Sequence, residues 1–141
     1  MKRDKILVIG LGRFGSGIAV RLSLSGEDVI AIDKDDDSFR KLADTYSGYQ
    51  LVGDVLDVDI LENAGIRQAK TVIATTDDDN VNIMVAEIAS RIYGVQEVFL
   101  RLVDQDKAVL IESQNVHPIF PYLLSMAEFD RIRGPKGGES R

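Results

Sequence analysis

Cysteine is absent from these 141 residues, and histidine occurs once, at His117. The first absence excludes disulfides, thiolate catalysis and zinc–thiolate sites, and it fits a reducing compartment. Long apolar runs are missing too: no stretch approaches the roughly 20 residues that cross a bilayer. The basic N-terminal residues run straight into an apolar segment that is too short for a secretory signal. The expectation is a cytoplasmic protein. Basic residues are the minority, 17 against 23 acidic, for a formal net charge of -6. A nucleic-acid partner is therefore not expected, and any bound anion must be held by local donors.

What is present is one domain's worth of chain, 45% hydrophobic and 28% charged, which is a globular composition. Short apolar runs alternate with helical patterns. Strands are predicted at Lys5–Ile9, 29–32, 50–52, 71–75, 98–103 and 119–120. Helices are predicted at 12–25, with Phe14, Ile18, Ala19 and Leu22 on one face, then at 35–46, Val58–Ala64, 78–93, 105–113 and 122–131. The alternation predicts an α/β fold, a Rossmann-like doubly wound parallel sheet in a single domain. The runs are almost continuously apolar, as in strands buried on both faces. The domain is expected to fill 1–133, with 134–141 as a disordered tail. The last helix is apolar over more than one face, through Tyr122, Leu123, Leu124, Met126 and Phe129. It reads as an assembly contact.

Gly10-Leu11-Gly12-Arg13-Phe14-Gly15 is a G-x-G-x-x-G that leaves the first strand and opens the first helix. The second strand ends at Asp33, eighteen residues beyond Gly15. That context makes the motif a dinucleotide fingerprint. Gly10 permits the tight turn, Gly12 lets a phosphate approach the backbone, and Gly15 lets helix and strand pack closely. The helix start offers free N–H groups and about half a positive charge. Asp33 can accept from both ribose hydroxyls and would repel a 2′-phosphate. Arg13 can reach over the phosphates.

Ligands of such sheets sit beyond the carboxyl ends of the strands. The third strand ends at Asp54, which reads equally as an adenosine contact or as a cap for the next helix. The fourth ends at Thr75 and Thr76, followed by Asp77, Asp78 and Asp79. Helix capping explains that acidic run, and the Asp33–Asp37 run, without a metal. Arg101 lies in an apolar strand and needs a partner there, either a nucleotide phosphate or an acid such as Asp77. His117 reads as a loop residue rather than a catalytic one, and no proton-transfer constellation accompanies the cleft.

Taken together, the glycine loop with Arg13, Ile32-Asp33, Gly53-Asp54, Ala64-Gly65-Ile66, 74–79, Asn82 and Arg101 resembles the RCK domain, also called KTN or TrkA-N, of bacterial potassium uptake systems. The resemblance covers about residues 4–133. It implies a non-enzymatic domain that binds an adenine nucleotide, NAD(H), ATP, ADP or AMP. It further implies a ring of subunits, often eight, that gates a membrane potassium channel or transporter. Many family members carry a second, C-terminal ligand-binding domain; the alternatives here are a second soluble subunit that carries it, a truncation, or its absence. Where the family usually shows Pro-Glu after the sixth strand, this chain has Pro121-Tyr122. The candidate nucleotide contacts are Gly10, Leu11, Gly12, Arg13, Phe14 and Gly15 in the loop. Asp33, Lys34, Asp54, Val55, Thr75, Thr76, Asp77 and Arg101 complete the set at the strand ends. The competing expectations are a small NAD-dependent oxidoreductase and a redox-sensing Rossmann protein.

Overall fold

The apolar runs pair side by side as parallel strands. In the computed structural model, which describes residues 2–134, these are β1 (Lys5–Ile9), β2 (Asp28–Asp33), β3 (Tyr49–Val52), β4 (Ala69–Ala74), β5 (Glu97–Arg101) and β6 (Val116–Ile119). They form one sheet in the order β3-β2-β1-β4-β5-β6, with every pairing parallel. This is the doubly wound Rossmann order. Leu7 at its centre lies opposite Ile30 on one side and Val72 on the other.

The described residues form four α-helices, of which the first three flank the sheet: α1 (Arg13–Leu24), α2 (Val58–Ala64), α3 (Asp79–Glu87) and α4 (Pro121–Arg133). On one face, α1 and the turn at 36–41 cover Ile6, Val8, Val29, Ala31 and Ile73. On the other, α2 and α3 cover Leu7, Ile9, Ile32, Val72, Val98 and Leu100. The alternation of side chains along each strand sends successive residues to these two clusters. Both faces are therefore buried, and the runs need no polar positions.

Three local expectations are corrected. The segment 35–46 is not an α-helix. Only a 3₁₀ turn forms, Asp36–Lys41, and Leu42 then turns extended at φ -74°, ψ 130°. The turn starts as α2 and α3 do, with an aspartate, Asp35, accepting from the amide two residues on; it ends where the Leu42 amide closes on the Phe39 carbonyl and Leu42 itself leaves helical backbone. Phe39 is still buried, and Leu42 and Tyr46 pack against the sheet, so the apolar spacing is met without a helix. Likewise 105–113 shortens to a 3₁₀ turn, Gln105–Leu110, capped by Asp104. The long helix 78–93 divides into α3 and a π-helical turn, Ile88–Ile92.

Phe14 is a fourth correction, because it does not join the core face of α1. It stands 42% exposed, and the helix buries Gly15, Ser16, Ala19 and Ser23 instead. Small residues bring this helix close to the sheet. The remaining helices and strands fall within a few residues of their expected limits. The expected tail lies, apart from Gly134, outside the described residues.

Helix α4 follows β6 and buries none of its residues. Leu124 and Phe129 are 61% and 57% exposed, with Tyr122, Leu123, Met126 and Ile132 also open. None of the described helices is long and apolar enough to cross a membrane.

Candidate functional site

At the carboxyl end of the sheet, the loops after β1, β2, β3, β4 and β5 enclose a cavity of about 700 Å³. That volume suits a ligand of nucleotide size. Its floor begins at Gly10, whose φ of 91° is open to glycine and strained for other residues. A Cβ there would lie 2.6 Å from the Thr76 amide nitrogen and 2.7 Å from the Thr75 carbonyl. Gly12 also lines the cavity, and a Cβ on it would meet nothing within 4 Å. Gly15 lies behind the floor, outside the lining. A Cβ on Gly15 would overlap the Gly10 carbonyl oxygen and approach Thr75 Oγ1 to 2.6 Å. The Thr75 hydroxyl, fully inside, donates to that same carbonyl at 2.8 Å. The three glycines thus do different things: turn, opening and close packing.

Helix α1 begins at this floor with no side-chain cap and no acid in its first turn. Its neighbours differ: Asp57 caps α2 and Asp78 caps α3, each accepting from amides of the first turn. The start of α1 therefore presents unneutralised partial positive charge to the cavity.

Asp33 closes β2 and borders the cavity. Its Oδ2 accepts from the Leu11 amide at 2.8 Å, and its Oδ1 accepts from the Asp35 amide at 2.8 Å. Each oxygen keeps further lone-pair capacity for outside donors. The carboxylate therefore shapes the glycine loop and faces the cavity at once. Lys34 is exposed beside it.

Asp54 lines the cavity and accepts from the Leu56 amide at 2.9 Å, so it closes a turn. The cap of α2 is Asp57, which corrects that half of the reading of Asp54. Val55 is buried in the lining. Beyond β4, Thr76 and Asp77 reach the cavity and Asp77 is exposed. Among the described residues no group of three metal-ligating side chains gathers. Asp78 and Asp79 are engaged with backbone amides instead, Asp79 accepting from Val103 and Asp104.

Arg101 sits at the end of β5, between β4 and β6, and points no ion pair at Asp77. Its guanidinium makes only a 3.5 Å contact to the Thr76 carbonyl. Arg13, Lys34 and Lys41 are likewise without a carboxylate partner within 4.0 Å among the described residues. Four cations line the cavity beside five aspartates, Asp33, Asp35, Asp54, Asp77 and Asp78, and among the described residues none of the four forms an ion pair within 4.0 Å.

The cavity thus brings together every sequence-predicted site residue except Gly15. Sequence reasoning missed Ser38 and Lys41, carried in by the unforeseen 3₁₀ turn, and Val81 on α3. It also left Asn82 outside the site. Asn82 is fully buried beneath the Thr76 loop, among Ile83, Val85 and Ala86 of the covered helix face. A polar residue on such a face was the available signal. His117 lies on β6, exposed against the Phe99 ring and outside the lining.

The TrkA-N domain matches residues 6–120 of this chain. The Trk system potassium uptake protein TrkA of Streptomyces coelicolor is 32% identical over 134 residues, 95% of this chain and 60% of that protein. The chain therefore spans about three fifths of that relative's length. Among solved structures, the TrkA-N domain of inner membrane protein ybaL from Escherichia coli matches with a TM-score of 0.80 at 17% identity. The match covers 95% of this chain and 98% of that one. The GsuK channel bound to NAD matches with a TM-score of 0.75 at 15% identity, over 97% of this chain and 25% of that one. At such identities the structural likeness concerns the fold. With the domain match spanning most of the sequence, this chain belongs to the TrkA-N domain family.

Proposed function

We propose that this domain is a nucleotide-sensing regulatory element of a membrane potassium transport system. The observation that carries the reading is the cavity at the uncapped start of α1, with Asp33 on one side and unpaired Arg13 and Arg101 on the other. Backbone N–H groups and cations suit phosphates, and a carboxylate suits ribose hydroxyls. The ligand is an adenine nucleotide without a 2′-phosphate: NAD(H), ATP, ADP or AMP. The family relationship to a potassium uptake protein and the fold shared with an NAD-bound channel support the assignment.

The nucleotide acts as an effector rather than a substrate. The cavity carries no histidine, and its carboxylates are largely committed to backbone amides. An effector works only if its forms bind two protein states unequally. A tenfold inequality amounts to about 1.4 kcal/mol per site. Helix α4, apolar and uncovered, joins copies of the chain into a dimer and then a ring, an octamer by family resemblance, so that several sites act on one gate. The domain works at the cytoplasmic face, held there by its membrane partner.

The test is direct. Protein purified without added nucleotide is denatured, and the supernatant is examined by mass spectrometry. Calorimetry on stripped, folded protein then follows with NADH, ATP, ADP and AMP. An adenine nucleotide should be released, and at least one should rebind. Four flat titrations would overturn the proposal, as would turnover in a hydride-transfer assay.

A further inference from the structure

The strand order places Asp33, at the end of β2, on one side of the glycine loop that follows β1. Thr76 and Arg101, at the ends of β4 and β5, lie on the other side. A nucleotide whose ribose meets Asp33 and whose first phosphate meets the glycine loop therefore extends toward Thr76 and Arg101. AMP ends at the loop. ADP, ATP and NADH continue past it.

That far end is built on one buried side chain. Asn82 Oδ1 accepts from the Thr76 amide at 2.9 Å and from the Thr76 hydroxyl at 2.7 Å. Its Nδ2 donates to the Thr76 carbonyl at 3.1 Å and to the Arg101 carbonyl at 2.9 Å. The amide thus has two acceptor and two donor contacts, its full complement. All four go to the two residues whose placement matters beyond the phosphate. The start of the same helix holds the next loop, through Asp79 and the Val103 and Asp104 amides.

We infer that Asn82 is the positioning residue of this cleft: it fixes Thr76 and Arg101 against whatever lies beyond the first phosphate, and so sets the site's preference for longer adenine nucleotides over AMP. The inference rests on the nucleotide reading above. Asn82 touches no ligand; it acts through the two residues it orders. Without it, the Thr76 loop, and with it the Thr76 carbonyl that the Arg101 guanidinium contacts, must be ordered at the moment of binding, which weakens affinity for groups they contact.

The experiment compares two ligands. Asn82→Ala is titrated with NADH and with AMP by calorimetry. NADH affinity should fall about tenfold, while AMP affinity changes by less than about twofold. A general loss of structure would weaken both alike. Equal losses for the two ligands, a larger loss for AMP, or no loss for either overturns the inference. If the variant does not fold, the wild-type protein answers: the side-chain amide resonances of Asn82 should move on addition of NADH and stay in place with AMP. No movement with NADH, or equal movement with both, overturns it. Wild-type protein that binds AMP but neither ADP nor NADH also overturns it while leaving the nucleotide reading intact. Wild-type protein that binds none of them overturns that reading and this inference together.

Discussion

Two glycines on α1, two residues apart, should respond to the same substitution with opposite sign. A Cβ on Gly15 would overlap the Gly10 carbonyl oxygen and press on the Thr75 hydroxyl. Neither neighbour can withdraw easily. The Gly10 amide donates to Ile32 at 2.8 Å, and the loop behind Gly10 already lies against Thr75 and Thr76. Thr75 Oγ1 in turn donates to the Gly10 carbonyl. Gly15→Ala therefore forces α1 off the sheet, at a cost of about 3 kcal/mol for overpacking. The helix-forming advantage of alanine offsets about 1 kcal/mol of this. A net loss of about 2 kcal/mol remains, or about 6 °C in Tm for a domain this size. At Gly17 a Cβ meets nothing within 4 Å and the backbone is helical. Only the propensity gain applies there, so Gly17→Ala should stabilise by about 0.5–1 kcal/mol. Urea unfolding of the two variants beside the wild type measures both. Equal stability for the two alanine variants would refute the close approach of α1 to β1 and β4, and the role given to Gly15 with it.

Asp33→Ala should lower adenine-nucleotide affinity by about tenfold and also cost about 1–2 kcal/mol of stability, because the Leu11 and Asp35 amides lose their acceptor; unchanged calorimetric binding would remove Asp33 from the site. Phe129→Glu, placing charge on the exposed face of α4, should shift the protein toward monomer in analytical ultracentrifugation while leaving its melting curve in place; an unchanged sedimentation coefficient would refute the assembly role. Arg67 first, and then the Tyr93 hydroxyl, hold the Glu62 carboxyl below its usual range near 4.5. Its contribution is therefore present above that range and lost as pH falls through the folded-state value. The urea midpoint of the wild type should drop more steeply below about pH 4.5 than that of Glu62→Gln, and parallel profiles would sink the idea. Burial pushes the Tyr46 phenol up to about 12, so it should ionise after the exposed tyrosines when absorbance near 295 nm is followed with rising pH.

The parts of the site that a sequence can announce are those imposed by backbone geometry. Gly10 is legible because a positive φ at a strand's end leaves few alternatives, and Gly15 because no other residue fits against Gly10 and Thr75. Asp33 follows from its place after an apolar strand. The parallel, doubly wound sheet was legible from the alternation of runs, since parallel strands need crossovers, whereas the strand order came only with the structure. Phe39, Leu42 and Tyr46 misled for a physical reason. Their spacing of three and four residues satisfies a helix face, yet each reaches the sheet from a 3₁₀ turn and an extended segment. Lys41 and Ser38 entered the cavity with that turn and could not be placed before it was known. Asn82 was visible as a letter, but its four partners lie six and nineteen residues away and meet only when β4, β5 and α3 are assembled.

The division of the cleft also bears on why the domain should assemble. In the proposed function, contacts that every adenine nucleotide would make, such as those of Asp33 and the glycine loop, cannot make one nucleotide shift the equilibrium between protein states more than another. On the inference above, the region around Thr76 and Arg101 is where a long ligand is distinguished from a short one. A tenfold distinction there supplies about 1.4 kcal/mol. Moving a two-state gate from one part in a hundred to its converse takes about 5.5 kcal/mol. One such site falls short by a factor of about four. Four or more sites acting on one gate would suffice, and α4, none of whose side chains is buried among the described residues, is the element proposed to bring copies together.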